Sequence, residues 1–171
     1  NNLVYVSYTS QEDDINHSLV VDEYSMNFTK VRNIAKIDGL KNIHFSGNLA
    51  FDSLGELYLA VGDGHNIQSG QDQNSLTGKI HRLDLSKSKL EVETLAYGIR
   101  SPWGVTIDSK DRMFIPQCGY NNVEALYILN DLYSGVPVNL GWPVFEGTMR
   151  RTLDEEDPAD KTYILNLVNE E

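Results

Sequence analysis

Leu49-Ala50-Phe51-Asp52-Ser53-Leu54-Gly55-Glu56-Leu57-Tyr58-Leu59-Ala60 aligns without gaps on Val105-Thr106-Ile107-Asp108-Ser109-Lys110-Asp111-Arg112-Met113-Phe114-Ile115-Pro116, 56 positions further along the chain. Each copy reads as a short strand, a polar turn led by Asp-Ser, and a second strand. Asp and Ser favour such turns because their side chains bond nearby backbone, and two apolar runs around a polar turn predict a hairpin. A third, partial copy opens the chain, with Leu3-Val4-Tyr5-Val6 standing where Leu57-Tyr58-Leu59 stands. Each second strand is followed by a polar loop and a further strand. These third strands are Leu19-Val20-Val21-Asp22, Ile80-His81-Arg82-Leu83-Asp84 and Leu126-Tyr127-Ile128-Leu129-Asn130.

A unit of several short strands recurring every ~50–60 residues predicts propeller blades. A β-sandwich also places strands every ~8–12 residues and stays as the alternative. No long stretch keeps apolar residues at helical spacing between caps. At ~50 residues per blade the chain holds about three blades, whereas propellers typically close with about 4 to 8. The expected fold is therefore all-β, about three blades of a propeller, with residues 1–171 part of a single domain. An open fan exposes strand edges and invites aggregation. The missing blades are thus expected from the rest of a longer chain or from another subunit. Residues 148–171 read as an acidic loop, Asp154-Glu155-Glu156-Asp157-Pro158, and the start of a further strand, Tyr163-Ile164-Leu165-Asn166-Leu167.

The composition is globular: of 171 residues, 40% are hydrophobic and 23% charged, so a core can form. Twenty-five acidic against 14 basic side chains give a net charge of -11. The nearest approach to a basic cluster, Lys79, His81, Arg82, Lys87 and Lys89, alternates with other residue types. Duplex nucleic acid, whose recognition needs clustered cations, is not an expected partner. No stretch approaches the ~18 apolar residues of a membrane span. Cys118 is the sole cysteine, which excludes an internal disulfide and a cysteine-based zinc site. The chain opens on Asn1-Asn2-Leu3 without Met or an apolar leader, which reads as processing, an excised fragment or an incomplete chain. Asn16-His17-Ser18 and Asn27-Phe28-Thr29 are glycosylation triplets of a kind that also arises by chance.

Four segments carry a family resemblance. They are His44-Phe45-Ser46-Gly47-Asn48-Leu49-Ala50-Phe51 continuing to Gly55-Glu56-Leu57-Tyr58-Leu59-Ala60-Val61-Gly62-Asp63; Ser75-Leu76-Thr77-Gly78-Lys79-Ile80-His81-Arg82-Leu83-Asp84; Tyr97-Gly98-Ile99-Arg100-Ser101-Pro102-Trp103-Gly104; and Asn139-Leu140-Gly141-Trp142-Pro143 with Glu146-Gly147. In this order and spacing they resemble the glucose/sorbosone dehydrogenase family over roughly residues 3 to 147. The resemblance implies a six-bladed propeller that holds pyrroloquinoline quinone with calcium at the top of its channel and oxidises a sugar CH–OH group. It also implies a secreted, periplasmic or surface location. Members of the wider group keep the propeller and bind partners without this chemistry, so fold follows from the resemblance more firmly than activity.

The resemblance gives His44 the role of the base that takes the sugar hydroxyl proton, work suited to a neutral imidazole. Arg100 matches the family's arginine beside the quinone, where a cation stabilises developing negative charge, with Ser101 next to it. Gly119 and Tyr120 fall where backbone carbonyls help to hold calcium, carbonyl oxygen being a suitable hard ligand. Each has a plainer reading: a loop histidine, an inter-blade arginine, turn residues without metal.

Several positions depart from the family. Ile43 precedes the base where a polar residue is usual, Ser101 replaces Asn, Gln117 and Cys118 replace an acidic neighbourhood, and Ala125 stands beside the retained Glu124. The basic residues of the last blades have no counterpart. Such a half-altered half-propeller is expected to be a poor enzyme by itself. Two functions remain open: a quinone-dependent sugar dehydrogenase, and a non-catalytic propeller serving as a binding or structural module of a secreted or surface assembly. Of the remaining motifs, Gly62-Asp63 is expected to be a blade turn, Trp103 and Trp142 to pack between blades, and Cys118 to be a buried thiol.

Overall fold

The structure is a computed structural model, and it describes residues 2–87, 90–121, 123–152 and 161–164. Three antiparallel sheets follow one another along the chain. The first comprises β1 (Leu3–Gln11), β2 (His17–Ser25) and β3 (Lys30–Leu40), paired in that order. The second comprises β4 (Ser46–Phe51), β5 (Leu57–Val61), β6 (Lys79–Leu83) and β7 (Val92–Tyr97). In the third, β8 (Ser101–Pro102) and β9 (Thr106–Ile107) both pair with β10 (Met113–Cys118), which pairs with β11 (Ala125–Leu129). A short helical turn, Ile67–Gly70, interrupts the loop between β5 and β6.

The two expected hairpins are β4–β5 and β9–β10, and both turns are built the same way. Asp52 Oδ1 accepts the N–H groups of Leu54 and Glu56, each at 2.9 Å. Asp108 Oδ1 accepts those of Lys110 at 2.9 Å and Arg112 at 3.0 Å. Strand β5 shows why the sheets must stack. All five of its residues are buried, which requires cover on both faces. Leu57, Leu59 and Val61 point into a core shared with Leu19, Val21, Ile34, Ile37 and Leu40 of the first sheet. Tyr58 and Ala60 point the other way, into a core shared with Met113, Ile115 and Leu129 of the third. One sheet buried between two others is the packing of propeller blades, and a two-sheet sandwich does not supply it.

Two features differ from expectation. The segment before the conserved-looking Gly-Trp-Pro forms a strand, β12 (Val138–Asn139), that joins the outer strand β7 in parallel. It continues through Leu140 N–H to Tyr97 O and Trp142 N–H to Gly98 O, so the chain returns to the middle sheet and delivers Trp142 to its tip. The strand expected from Tyr163 is not one at its start. Residues 161–164 form a helical turn, with Ile164 packed inward and the Tyr163 hydroxyl donating to Gln68 O at 3.0 Å. Among the described residues no strand pairs with this segment. The acidic run 154–158 and residues 165–167 lie outside the described residues. A small hairpin, β13 (Phe145–Glu146) with β14 (Met149–Arg150), follows β12.

Candidate functional site

His44 stands two residues before β4, and Arg100 immediately before β8. These are the same position on neighbouring blades, and stacking the blades brings both onto one cleft of about 750 Å³, together with Ser101, Gly119 and Tyr120. A smaller cavity of about 220 Å³ adjoins it, lined by His44, Asp63, Arg100 and Trp142 among others.

The backbone at the cleft floor is held in uncommon conformations. His44 and Ser46 both have φ of +60°, a region that costs a non-glycine residue energy and that clusters at functional sites. Gly62 explains how this is enforced. A Cβ built on it would lie 1.9 Å from His44 O and 3.2 Å from Arg100 O, so glycine is required by close approach. The next residue extends the weld, Asp63 N–H donating to Arg100 O at 2.8 Å. The Gly62-Asp63 peptide is therefore wedged between the blade tips that carry His44 and Arg100.

Asp63 is fully buried, and its carboxylate is the centre of a network. Oδ1 accepts His44 Nδ1–H at 2.7 Å and the His65 N–H at 2.9 Å, while Oδ2 accepts Trp142 Nε1–H at 3.0 Å. The bond to Asp63 selects the tautomer with the proton on Nδ1, so that in the neutral ring Nε2 is the nitrogen with the lone pair, the form a general base needs. Asp63 does stand in a turn, as expected, with Asn66 N–H donating to its carbonyl at 3.1 Å, and its side chain takes on the further task of holding the His44 ring. Ile43, which precedes His44, cannot orient an imidazole, and a carboxylate 19 positions later does so instead. Trp142 is buried as expected, but its indole N–H serves this network. Trp103 contradicts its expectation, lying 76% exposed at the rim of the cleft. A lone indole after a β8 of two residues has no described blade to cover it.

Arg100 is held at three points. Its N–H donates to the buried Gln117 Oε1 at 2.8 Å, Nη1 donates to Cys118 O at 3.4 Å, and the guanidinium lies 5.4 and 5.5 Å from the ring centres of Tyr120 and Trp142. Among the described residues no carboxylate forms an ion pair with it. A second guanidinium, Arg151, packs on the same two rings at 4.8 and 4.3 Å. Gly119 and Tyr120 form a tight turn. A Cβ at Gly119 would strike Val123 O at 2.0 Å, and the buried Glu146 carboxylate accepts the N–H groups of Tyr120 and Asn121. The described residues contain no cluster of three or more His, Cys, Asp or Glu able to hold a metal, so any ion here would rely on carbonyl oxygens. Cys118 is half-buried, and burial, followed by the nearby Glu124, pushes its thiol above the usual range. That disfavours a nucleophile.

Asp63 and Gln117 are the functional-looking residues that sequence reasoning passed over. The available signal was Gly-Asp directly after an all-apolar strand, at the end of the chain segment facing His44.

Several known proteins resemble this chain. The aldose sugar dehydrogenase YliI of Escherichia coli K12 is 29% identical over 120 residues, covering 56% of this chain and 32% of that protein. The HIPL1 protein of Arabidopsis thaliana is 27% identical over 152 residues, covering 70% of this chain and 21% of its own length. Among solved structures, a glucose dehydrogenase superposes with a TM-score of 0.69 at 23% identity over 84% of this chain and 46% of its own. The PQQ-bound aldose sugar dehydrogenase of Streptomyces coelicolor superposes with a TM-score of 0.64 at 24% identity over 86% and 45%. At these identities the superpositions speak for the fold, a β-propeller of which this chain spans less than half. The family model for Glucose / Sorbosone dehydrogenase matches residues 1–161, and with that match the chain belongs to the glucose/sorbosone dehydrogenase family.

Proposed function

We propose that these blades carry the base-and-arginine half of a quinone-dependent sugar dehydrogenase site, completed by further blades from a longer polypeptide or another subunit. The observation that carries the reading is the His44–Asp63 pair, a buried carboxylate holding an imidazole with Nε2 free at a cleft it shares with Arg100. Nε2 would take the proton from the sugar's reacting hydroxyl, and Asp63 would stabilise the imidazolium that forms, the division of labour of a base and its orienter. Arg100 would supply a fixed cation beside negative charge that develops across the cleft.

The cleft suits pyrroloquinoline quinone by volume and donor chemistry. At about 750 Å³ it is within the range of cofactor sites, and a flat polycarboxylate finds the Arg100 guanidinium, the Ser101 hydroxyl and the Tyr120 ring on its walls. When bound, the quinone supplies the two-electron acceptor for sugar oxidation. Gly119 and Tyr120 would offer carbonyl oxygens to calcium, fewer than the 6 to 8 oxygens that ion takes, with the remainder from cofactor and water. The chain alone is not expected to turn over.

The test is sugar-dependent dye reduction by the complete protein supplied with the quinone and calcium. His44→Gln should lower the rate by about 10²–10⁴ while leaving quinone affinity nearly unchanged. Arg100→Leu should weaken quinone binding by roughly 1.5 to 3 kcal/mol, the range for a lost charged hydrogen bond. A wild type that binds no quinone and reduces no dye would instead support the non-catalytic propeller, and a His44→Gln protein that stays fully active would remove His44 as the base.

A further inference from the structure

Lys79 opens β6 with no exposed surface, yet it pairs with no carboxylate among the described residues. Its ammonium donates to three backbone carbonyls instead: Ser69 O at 2.5 Å, Thr77 O at 3.0 Å and Gly70 O at 3.4 Å. A buried cation ringed by carbonyl oxygens is the arrangement in which proteins hold bare hard cations, with the charge here tethered to the chain. Burial pushes this ammonium down to about 8, which still leaves it charged at neutral pH.

The loop that supplies the cage is the one that shapes the site. Ser69 donates its hydroxyl to Asn66 O at 2.7 Å and to Asp63 O at 3.2 Å. Gly70 lies directly beneath Trp142, since a Cβ there would come within 2.8 Å of Trp142 O. Gln71 Nε2 donates to the same oxygen at 2.6 Å. Gly78, at φ +70°, donates its N–H to Gly62 O at 2.8 Å and turns the chain back toward the cage. Gly70 O also accepts the Gly98 N–H at 2.8 Å, but without a cation the Ser69 and Thr77 carbonyls would converge in a buried site with nothing to bond, an arrangement that costs free energy and drives the loop open. The loop's departure would loosen two of the groups that hold Asp63, the Ser69 hydroxyl on its carbonyl and the indole of Trp142 on its carboxylate.

We propose that Lys79 is a positioning residue, an internal cation that folds the 66–78 loop around itself and thereby sets the His44–Asp63–Trp142 network. The proposed function contributes only the role of His44, and the test reads geometry rather than turnover, so the two can fail separately.

In ¹⁵N spectra of the full chain, the Lys79 ammonium should exchange with water far more slowly than the surface lysines. Exchange as fast as theirs overturns the proposal. In wild type the His44 ring nitrogens should report a proton on Nδ1. Lys79→Ala should lose most of that preference, and added methylammonium, which fits the vacated cage, should restore it. Lys79→Met, which fills the cage with an apolar chain, should lose the preference and not recover it. A folded Lys79→Ala protein with unchanged His44 signals contradicts the inference. So does a Lys79→Ala chain that stays unfolded with methylammonium present.

Discussion

Gly62 and Asp63 perform different tasks with adjacent atoms: one must have no side chain, the other must bury a charged one. Gly62→Ala would force a methyl into the His44 carbonyl, 1.9 Å away. We expect a loss of about 1–3 kcal/mol, as for overpacking, visible as a lowered midpoint of thermal unfolding. The displaced His44 should also depress sugar oxidation in the complete protein. His81 is a fully buried histidine with the opposite assignment. Its Nε2–H donates to Leu76 O at 2.8 Å, its Nδ1 accepts the Thr94 hydroxyl at 3.2 Å, and burial pushes its pKa down to about 4. Because the folded state holds His81 neutral while the unfolded chain protonates near 6.5, its stabilisation is complete above pH 6.5 and is lost as pH falls towards 4. The loss should approach about 3 kcal/mol. Urea unfolding between pH 7 and 4 should show this slope in wild type and a flatter one in His81→Gln. Asp13 and Asp108, held at about 2 by hydrogen bonds, act below that window.

At the scale of elements, the repeated hairpin is the feature most open to sequence reading, because each turn is held by its own aspartate within four residues. Identical local chemistry still has unequal consequences. Asp52 Oδ2 also accepts the buried Tyr58 hydroxyl at 2.8 Å and the Tyr133 hydroxyl at 2.5 Å. Asp108 Oδ2 meets only the half-exposed Arg112. Asp52→Ala leaves the Tyr58 hydroxyl buried without its acceptor and should cost about 2–3 kcal/mol, whereas Asp108→Ala should cost clearly less. Chemical denaturation of the two variants side by side checks the contrast. Other elements were hidden from sequence reading for physical reasons. The two-residue β12 has no periodicity to detect, and its parallel partner β7 lies some 40 positions earlier. The helical turn at 161–164 is too short for a helical pattern, and Tyr163-Ile164 has strong strand preference, yet among the described residues no strand pairs with it.

Over the whole molecule, the stacking of three sheets followed from the repeat, and the meeting of His44 and Arg100 followed from their equivalent places in it. The network that makes His44 useful did not, because Asp63 and Trp142 reach it from a strand end 19 positions away and from a return segment 79 positions beyond Asp63. Only the closed packing of blades brings them together. The chain spans under half of the solved propellers it matches, and Leu126 on β11 is 61% exposed. In the proposed site, the buried Asp63 carboxylate sets His44 as the base of sugar oxidation. The most direct measurement is single-turnover sugar oxidation by the complete, quinone- and calcium-loaded protein, comparing wild type with Asp63→Asn. The account predicts a rate lower by about 10²–10⁴, as when a base loses its tautomer-fixing partner, with quinone affinity retained. A folded Asp63→Asn protein that oxidises sugar at the wild-type rate would contradict it.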